Sequence, residues 1–359
     1  MAKKLYFSAD NLAEAASKSY IGAGGVAKNI KKAYIGDENG LARLFFGEDV
    51  VMAGLAWVKT DYSGITYEIK HNGSLFVAKN KDAGLYYSTD GKTWTQSNLT
   101  YAAGQNKNTI CYADGLWVAG ISSKGLYYST DGKAWTQSNI TDASGTSVCY
   151  GNGIWVAGVY NKGTYYSIDG KTWTKSNLDT HATEISCNGS IFVTATTSGG
   201  LYYSTDGKTW TKSNVTSGNF MLPSYGGDIW VVSSNGGGLY YSTDGKTWTK
   251  SNVTSGSSAT VCYGKGLWVA VGATGNKTFY YSTDGKTWTS TGSATSAVTR
   301  IEYAAGMFIA STQGGLYYSI DGKTWNQSDK TSGIFLCVCY GNKTWVAGGN
   351  GVGIYYSVS

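Results

Sequence analysis

The chain has 359 residues, with 50 Gly, 1 Pro, 14% aromatic and 14% charged residues, and a formal net charge of +6. That aromatic content excludes a disordered linker protein, and glycines this scattered exclude collagen and point to turns between many short strands. The only arginines are Arg43 and Arg300, and the lysines are spread out, so the clustered basic surface of a nucleic-acid binder is not expected.

Residues 1–20 hold no apolar run of signal-peptide length, and no stretch approaches a membrane span, so membrane insertion is not expected. Residues 1–50 contain two related pieces, SYIGAGGVAKNIKK from Ser19 and AYIGDENGLARLFF from Ala33, each reading as strand, Gly turn, strand. This Tyr-x-Gly…Gly-x-Ala-Lys/Arg pattern resembles short repeats at the start of tail-associated proteins of phages infecting Gram-positive bacteria. The resemblance implies a virion protein, made in the bacterial cytoplasm, whose segment 1–50 attaches it to other virion proteins, with homo-oligomerisation in the particle open. Read from the residues alone, the same segment is a small hairpin cap on the domain that follows.

From residue 51 the chain is dominated by a repeat. GLYYSTDGKTWTQSN begins at Gly84, and close copies begin at Gly125, Gly163, Gly200, Gly238, Lys277 and Gly315. Their aspartates, Asp90, Asp131, Asp169, Asp206, Asp244, Asp284 and Asp321, are spaced by 41, 38, 37, 38, 40 and 37 residues. A period near 40 matches a four-stranded propeller blade. Between the copies lies a strand–turn–strand motif, ICYADGLWVAG from Ile110, VCYGNGIWVAG from Val148 and VCYGKGLWVAV from Val261. Each unit therefore reads as strand A, tight turn, strand B, variable loop, strand C, Asp-Gly turn, strand D. The Asp-Gly pair is a strong hairpin signal.

The A–B hairpin and the C-strand Tyr pair each occur eight times, but the full Asp-Gly unit occurs seven times. The missing D strand has a counterpart near the N-terminus, where Gly54–Asp61 resembles Gly91–Asn98. The expected fold is thus all-β, an eight-bladed β-propeller of four-stranded blades over residues 51–359, closed by a strand at residues 55–60. Seven blades with a loose end is the alternative.

The run Ser88–Trp94 resembles the Asp-box of sialidases and other Asp-box propellers, with Ala134 as the one departure in its second copy. The resemblance covers about residues 55–359 and implies that the seven aspartates cap structural turns away from any catalytic site. Sialidases of that family hold their substrate carboxylate with three Arg, and this region has only Arg300, so sialidase activity is not expected. Another glycosidase would need two carboxylates about 5–9.5 Å apart. Glu68 and Glu184 align with Ile110, Val148, Pro223, Val261, Ile301 and Val338, with Glu302 one residue later. They read as channel-lining carboxylates, with Arg300 and Glu302 paired. Cys111, Cys149, Cys262 and Cys339 share one repeat position and no CxxC occurs, which reads as small buried thiols in a reducing compartment. His71 and His181 lack companion ligands, so neither a metal nor any other cofactor is expected.

The A–B and C–D turns hardly vary, whereas the B–C and D–A connections differ in every unit and leave a propeller on the opposite face. Loops on a rigid scaffold are where recognition usually sits. Tyr101, Tyr160 and Phe220 are the candidates to stack on sugar rings, and Asn106, Asn161, Asn219 and Asn276 to bond hydroxyls. The expectation is a non-enzymatic phage virion protein that binds host-surface carbohydrate. A glycoside hydrolase with other carboxylates, or a protein-binding scaffold, are the alternatives.

Overall fold

A computed structural model describes residues 56–357, except 82, 102–108, 143, 255–259, 273, 274 and 276, together with strands 33–36 and 42–46. The chain divides into two compact units, Met1–Met52 and Ala53–Ser359. In the first, Ala33–Gly36 pairs antiparallel with Ala42–Phe46. The earlier piece from Ser19 lies outside the described residues.

The second unit consists of eight four-stranded antiparallel sheets. Blade 1 is Thr66–His71, Phe76–Asn80, Gly84–Ser88 and Thr95–Gln96. The inner strands of blades 2 to 7 are Ile110–Ala113, Ser144–Gly151, Ala182–Cys187, Ser224–Gly226, Thr260–Gly264 and Val298–Ala304. Each inner strand packs against the next, and that of blade 8, Ile334–Gly341, packs against blade 1, so the ring is closed. The second unit is an eight-bladed β-propeller, with no helix among the described residues.

Closure uses the strand anticipated at the N-terminal end. Trp57–Lys59 is the outer strand of blade 8, with Trp57 opposite Ser357, Val58 opposite Tyr356 and Lys59 opposite Tyr355. The Thr60 amide and hydroxyl both donate to the Ile354 carbonyl, at 2.9 and 3.0 Å. Trp57 is 3% exposed, so the strand contributes an anchor as well as hydrogen bonds.

The blades are apolar on both faces because both are covered. The second strands are buried along their middle, and throughout in Leu116–Ile121 and Leu267–Gly272, and each carries a buried ring near its start such as Phe76, Trp117, Trp155 or Phe192. A second tryptophan comes from the C–D connection. This spans six residues rather than the two-residue hairpin that Asp-Gly suggests, and its geometry recurs in all seven copies. In the first, Asp90 Oδ1 accepts the amides of Lys92 and Thr93 at 2.8 and 2.9 Å, and Ser88 Oγ accepts the Gly91 amide at 2.8 Å. Gly91 takes φ of +73°, which glycine adopts at little steric cost. With its backbone satisfied, the turn delivers Trp94, whose indole N–H donates to the Gly91 carbonyl at 3.1 Å.

Two further contacts join neighbouring blades. An Asn just after the D strand clamps the turn tryptophan of the next blade at five of the eight seams. Asn139 Oδ1 accepts the Trp173 amide at 2.8 Å, and its Nδ2 donates to the Trp173 carbonyl at 2.9 Å. Asn98, Asn177, Asn214 and Asn252 do the same to Trp135, Trp210, Trp248 and Trp288. The turn lysine lies over a tyrosine of the preceding blade in all seven copies, from Lys92 over Tyr356 to Lys323 over Tyr281, with Nζ 4.8–5.8 Å from the ring centre. Such cation–π contacts contribute about 0.5–1 kcal/mol each at exposed sites.

Between blades 7 and 8 the clamp is an aspartate. Asp329 Oδ2 accepts the Trp57 amide at 3.1 Å, but a carboxylate has no proton for the Trp57 carbonyl. Asp329→Asn should therefore stabilise the protein, and Asn139→Asp should destabilise it, each by about 1 kcal/mol. Denaturant midpoints of both variants check this.

Candidate functional site

The antiparallel order places the A–B and C–D turns at one end of the ring and the B–C and D–A connections at the other. The axial channel joins the two faces.

On the variable face the proposed residues separate. Tyr160 is 46% exposed at the end of its strand, and His181 of blade 4 meets it edge-on, with ring centres 5.6 Å apart. Asn161 follows in a left-handed conformation, φ +61°, with its side chain exposed. The neighbouring connection adds Lys175 and Asp179, joined at 2.8 Å. The structure therefore assembles one mixed aromatic and polar patch across blades 3 and 4. Asn219 is exposed on blade 5, next but one to the exposed Met221.

Two assignments are corrected. Tyr101 is 6% exposed, and its hydroxyl donates to the carbonyls of Asn80 and Gly84 at 2.7 and 3.2 Å. Phe220 is 4% exposed, bridges Ser234 through its backbone and packs edge-on against Tyr240, with ring centres 5.5 Å apart. Neither can stack on a sugar, because each ring already covers a blade. Asn106 and Asn276 lie outside the described residues.

The channel also requires a correction of register. Glu68 stands opposite Lys79, and Glu184 opposite Ala195. The true counterparts of Ile110 and Val148 are Ile69 and Ile185, which face the same second-strand position. Glu68 and Glu184 thus share their level with Arg300 and Cys337. The reason lies in the A–B turn. Blade 2 turns on Asp114 and Gly115, both left-handed. In blades 1 and 4, Asn72 and Asn188 cap the two amides that follow their glycine, which shifts that glycine one place earlier.

At this level Arg300 Nε donates to Glu302 Oε1 at 3.1 Å. Burial opposes the guanidinium charge, but Glu302, Glu68 and Glu184 outweigh it and raise its pKa. Glu68 Oε2 accepts the Ile110 amide of blade 2 at 2.9 Å, and its Oε1 lies 3.7 Å from Lys70 Nζ. Glu68 is thus a strut between blades as well as a channel carboxylate. The thiols are free and, apart from buried Cys337, half-buried rather than fully enclosed. Burial pushes Cys111 up to about 11 and Cys339 up to about 12, so both stay protonated near neutral pH.

At the A–B end, Tyr112, Tyr150, Tyr225, Tyr263, Tyr303 and Tyr340 ring the channel mouth, with His71 and Cys187 in the other two blades. Each tyrosine lies against the first ring of its own second strand, as Tyr303 does on Phe308 at 4.6 Å. An added Cβ on Gly264 would collide with the Tyr303 ring, so the preceding blade supplies glycine there. A cleft of about 230 Å³ opens at this mouth among Lys70, His71, Glu302, Tyr303 and Tyr340.

No protein-family model and no curated protein sequence matches the chain. Solved structures do. The computationally designed Ika8 protein superposes with a TM-score of 0.68 at 12% identity, covering 85% of this chain and all of that one. The Dos1 propeller gives 0.65 at 12% identity over 85% and 94% of the two chains. Sqt1 of Saccharomyces cerevisiae gives 0.61 at 10% identity over 85% and 99%. The likeness is one of fold.

Sequence reading passed over Lys79, because its position looks like any other second-strand residue. It is fully buried opposite Glu68, where neighbouring blades carry Gly120 and Gly158. Burial pushes its pKa down to about 8, partly offset by Glu68. Between that value and the ordinary 10.5 the unfolded chain binds the extra proton, so stability rises with pH across this window. Melting temperature should climb from pH 8 towards 10.5, and Lys79→Met should flatten that rise.

Proposed function

We propose that the chain is a non-enzymatic bacteriophage virion protein whose propeller binds host-surface carbohydrate through the B–C and D–A face. One observation carries the binding reading. On that face Tyr160 presents an exposed aromatic ring beside the exposed Asn161, with the half-buried His181 ring edge-on against it. An aromatic face with an amide group beside it suits a sugar's apolar C–H face and its hydroxyls. The Asp-box likeness of the seven turns and the phage-tail likeness of residues 1–50 supply the setting, with that segment as the attachment to other virion proteins.

Adsorption to host cells should fall at least about tenfold, a loss of about 1.4 kcal/mol, for Tyr160→Ala combined with Asn161→Ala. The same changes should lower the melting temperature only slightly, because both side chains are exposed and the one cost is alanine in the left-handed backbone at position 161. Lys208→Ala with Lys246→Ala, on the opposite face, should leave adsorption intact. Equal adsorption by all variants removes the glycan site from this face.

Removal of residues 1–50 should abolish incorporation into particles while the propeller stays folded. Normal incorporation of the shortened chain defeats the attachment reading.

A further inference from the structure

The five asparagine-clamped seams show what this fold places between two blades. At each one the carboxamide holds the amide and carbonyl of the turn tryptophan. The next residue, Leu99, Ile140, Leu178, Val215 or Val253, supplies an aliphatic side chain behind it. The clamped tryptophans are 3–6% exposed.

The seam between blades 8 and 1 departs from this pattern. Asp61 and Tyr62 stand where Asn98 and Leu99 stand in blade 1. The Tyr62 carbonyl still accepts the Ile354 amide at 3.3 Å, as the Leu99 carbonyl accepts that of Leu85, so the backbone keeps its course. The Tyr62 side chain instead reaches across the seam, where its hydroxyl meets Asn80 Nδ2 and its ring packs edge-on to Tyr86, with centres 4.8 Å apart. Among the described residues, Asp61 makes no hydrogen bond to Trp94, and nothing holds the Trp94 amide and carbonyl as Asn139 holds those of Trp173. Trp94 is only half-buried. A groove of about 510 Å³ results, lined by Asp61, Tyr62, Asn80, Tyr86, Lys92 and Trp94. The seam between blades 6 and 7 also lacks the Asn, but there Trp325 stacks flat on Phe279, with centres 4.1 Å apart.

We propose that the groove between blades 8 and 1 binds the primary carboxamide of an Asn or Gln side chain, followed by an aliphatic residue, on a partner polypeptide. The turn that carries Trp94 has the same geometry as its sisters, so its amide and carbonyl face the seam as theirs do. They ask for an acceptor and a donor side by side. A carboxylate offers no donor for the carbonyl and can at most take the amide, as Asp329 does with Trp57. An ammonium offers no acceptor. The secondary amide of an acetylated amino sugar turns its N–H away from its own carbonyl and cannot span both groups. A primary carboxamide presents both on one edge. The Tyr62, Tyr86 and Trp94 rings then provide an apolar wall for the aliphatic side chain. This site is independent of the glycan reading, since it lies at a seam and recognises polypeptide.

The test uses a labelled synthetic peptide with the chain's own clamp sequence, Thr-Gln-Ser-Asn-Leu-Thr, titrated against the full chain by fluorescence anisotropy. Saturable binding is expected, weakened at least about tenfold when the peptide's Asn is replaced by Asp. Asp61→Asn, which supplies the carboxamide from the chain itself, should block the peptide and raise the melting temperature, so lost binding cannot be confused with unfolding. Three results overturn the proposal. One is no binding at about millimolar peptide. Another is equal affinity of the Asn and Asp peptides, which indicates strand addition to the blade edge. The third is unchanged peptide affinity in Asp61→Asn.

Discussion

The seam between two blades is the constraint on which the molecule depends. A blade that is apolar on both faces has no stable existence alone, because either face left in water forfeits about 25 cal/mol for each Å² of apolar surface. Both faces are covered only if the ring closes. That is why three residues, Trp57–Lys59, matter beyond their length, since they complete the sheet at which the last blade meets the first. It is also why the turn chemistry is so uniform. A tryptophan enters a seam only when the backbone that carries it is satisfied, and the Ser and Asp of each turn do that locally. The Asn clamp then ties the satisfied turn to the preceding blade.

Since stability resides in turns and seams that repeat, the individual positions where the repeat fails are free for other work. Several have a definite chemical character. The aspartates Asp61 and Asp329 flank the closure. Lys79 and Glu68 replace small side chains between blades 1 and 2. Arg300 and Glu302 place a charge pair in the channel, at the level of Glu68 and Glu184. Tyr160 stands exposed on the variable face with the half-buried His181 ring edge-on against it. A uniform scaffold makes such departures readable, because each can be compared with its counterparts in the same chain.

The acid behaviour of the turns follows from the same design. Burial works against the charged form of Asp90, but the amides of Thr93 and Lys92 and the Ser88 hydroxyl outweigh it and lower the carboxyl pKa. The other six turn aspartates are lowered in the same way, with turn amides as the leading favourable cause. Their contribution is complete above the unfolded carboxylate value of 3.8 and is lost as pH falls through the lower folded values. Lys79 acts in the same direction in a higher range, because the cost of burying its charge is relieved as pH rises from about 8 towards 10.5.

The blade count and the closing strand were legible in the sequence because they depend on local chemistry repeated at a long period. A turn that consumes its own aspartate looks the same wherever it occurs, and seven copies against eight Tyr pairs leave one strand to be found elsewhere. The register of the inner strands was not legible. Asn72 and Asn188 select a turn that moves its glycine by one residue, and motif matching anchored on that glycine misplaced Glu68 and Glu184. Exposure was not legible either. Tyr101, Tyr160 and Phe220 are equivalent as loop aromatics in sequence, yet Tyr101 bonds two carbonyls beneath the surface, Phe220 seals blade 5, and only Tyr160 reaches solvent. Local hydrogen bonding is written in neighbouring residues, so the sequence determined the turns, the blades and their number. Which side chain a seam swallows depends on the opposing blade, some 40 residues away, and only the tertiary structure decided it.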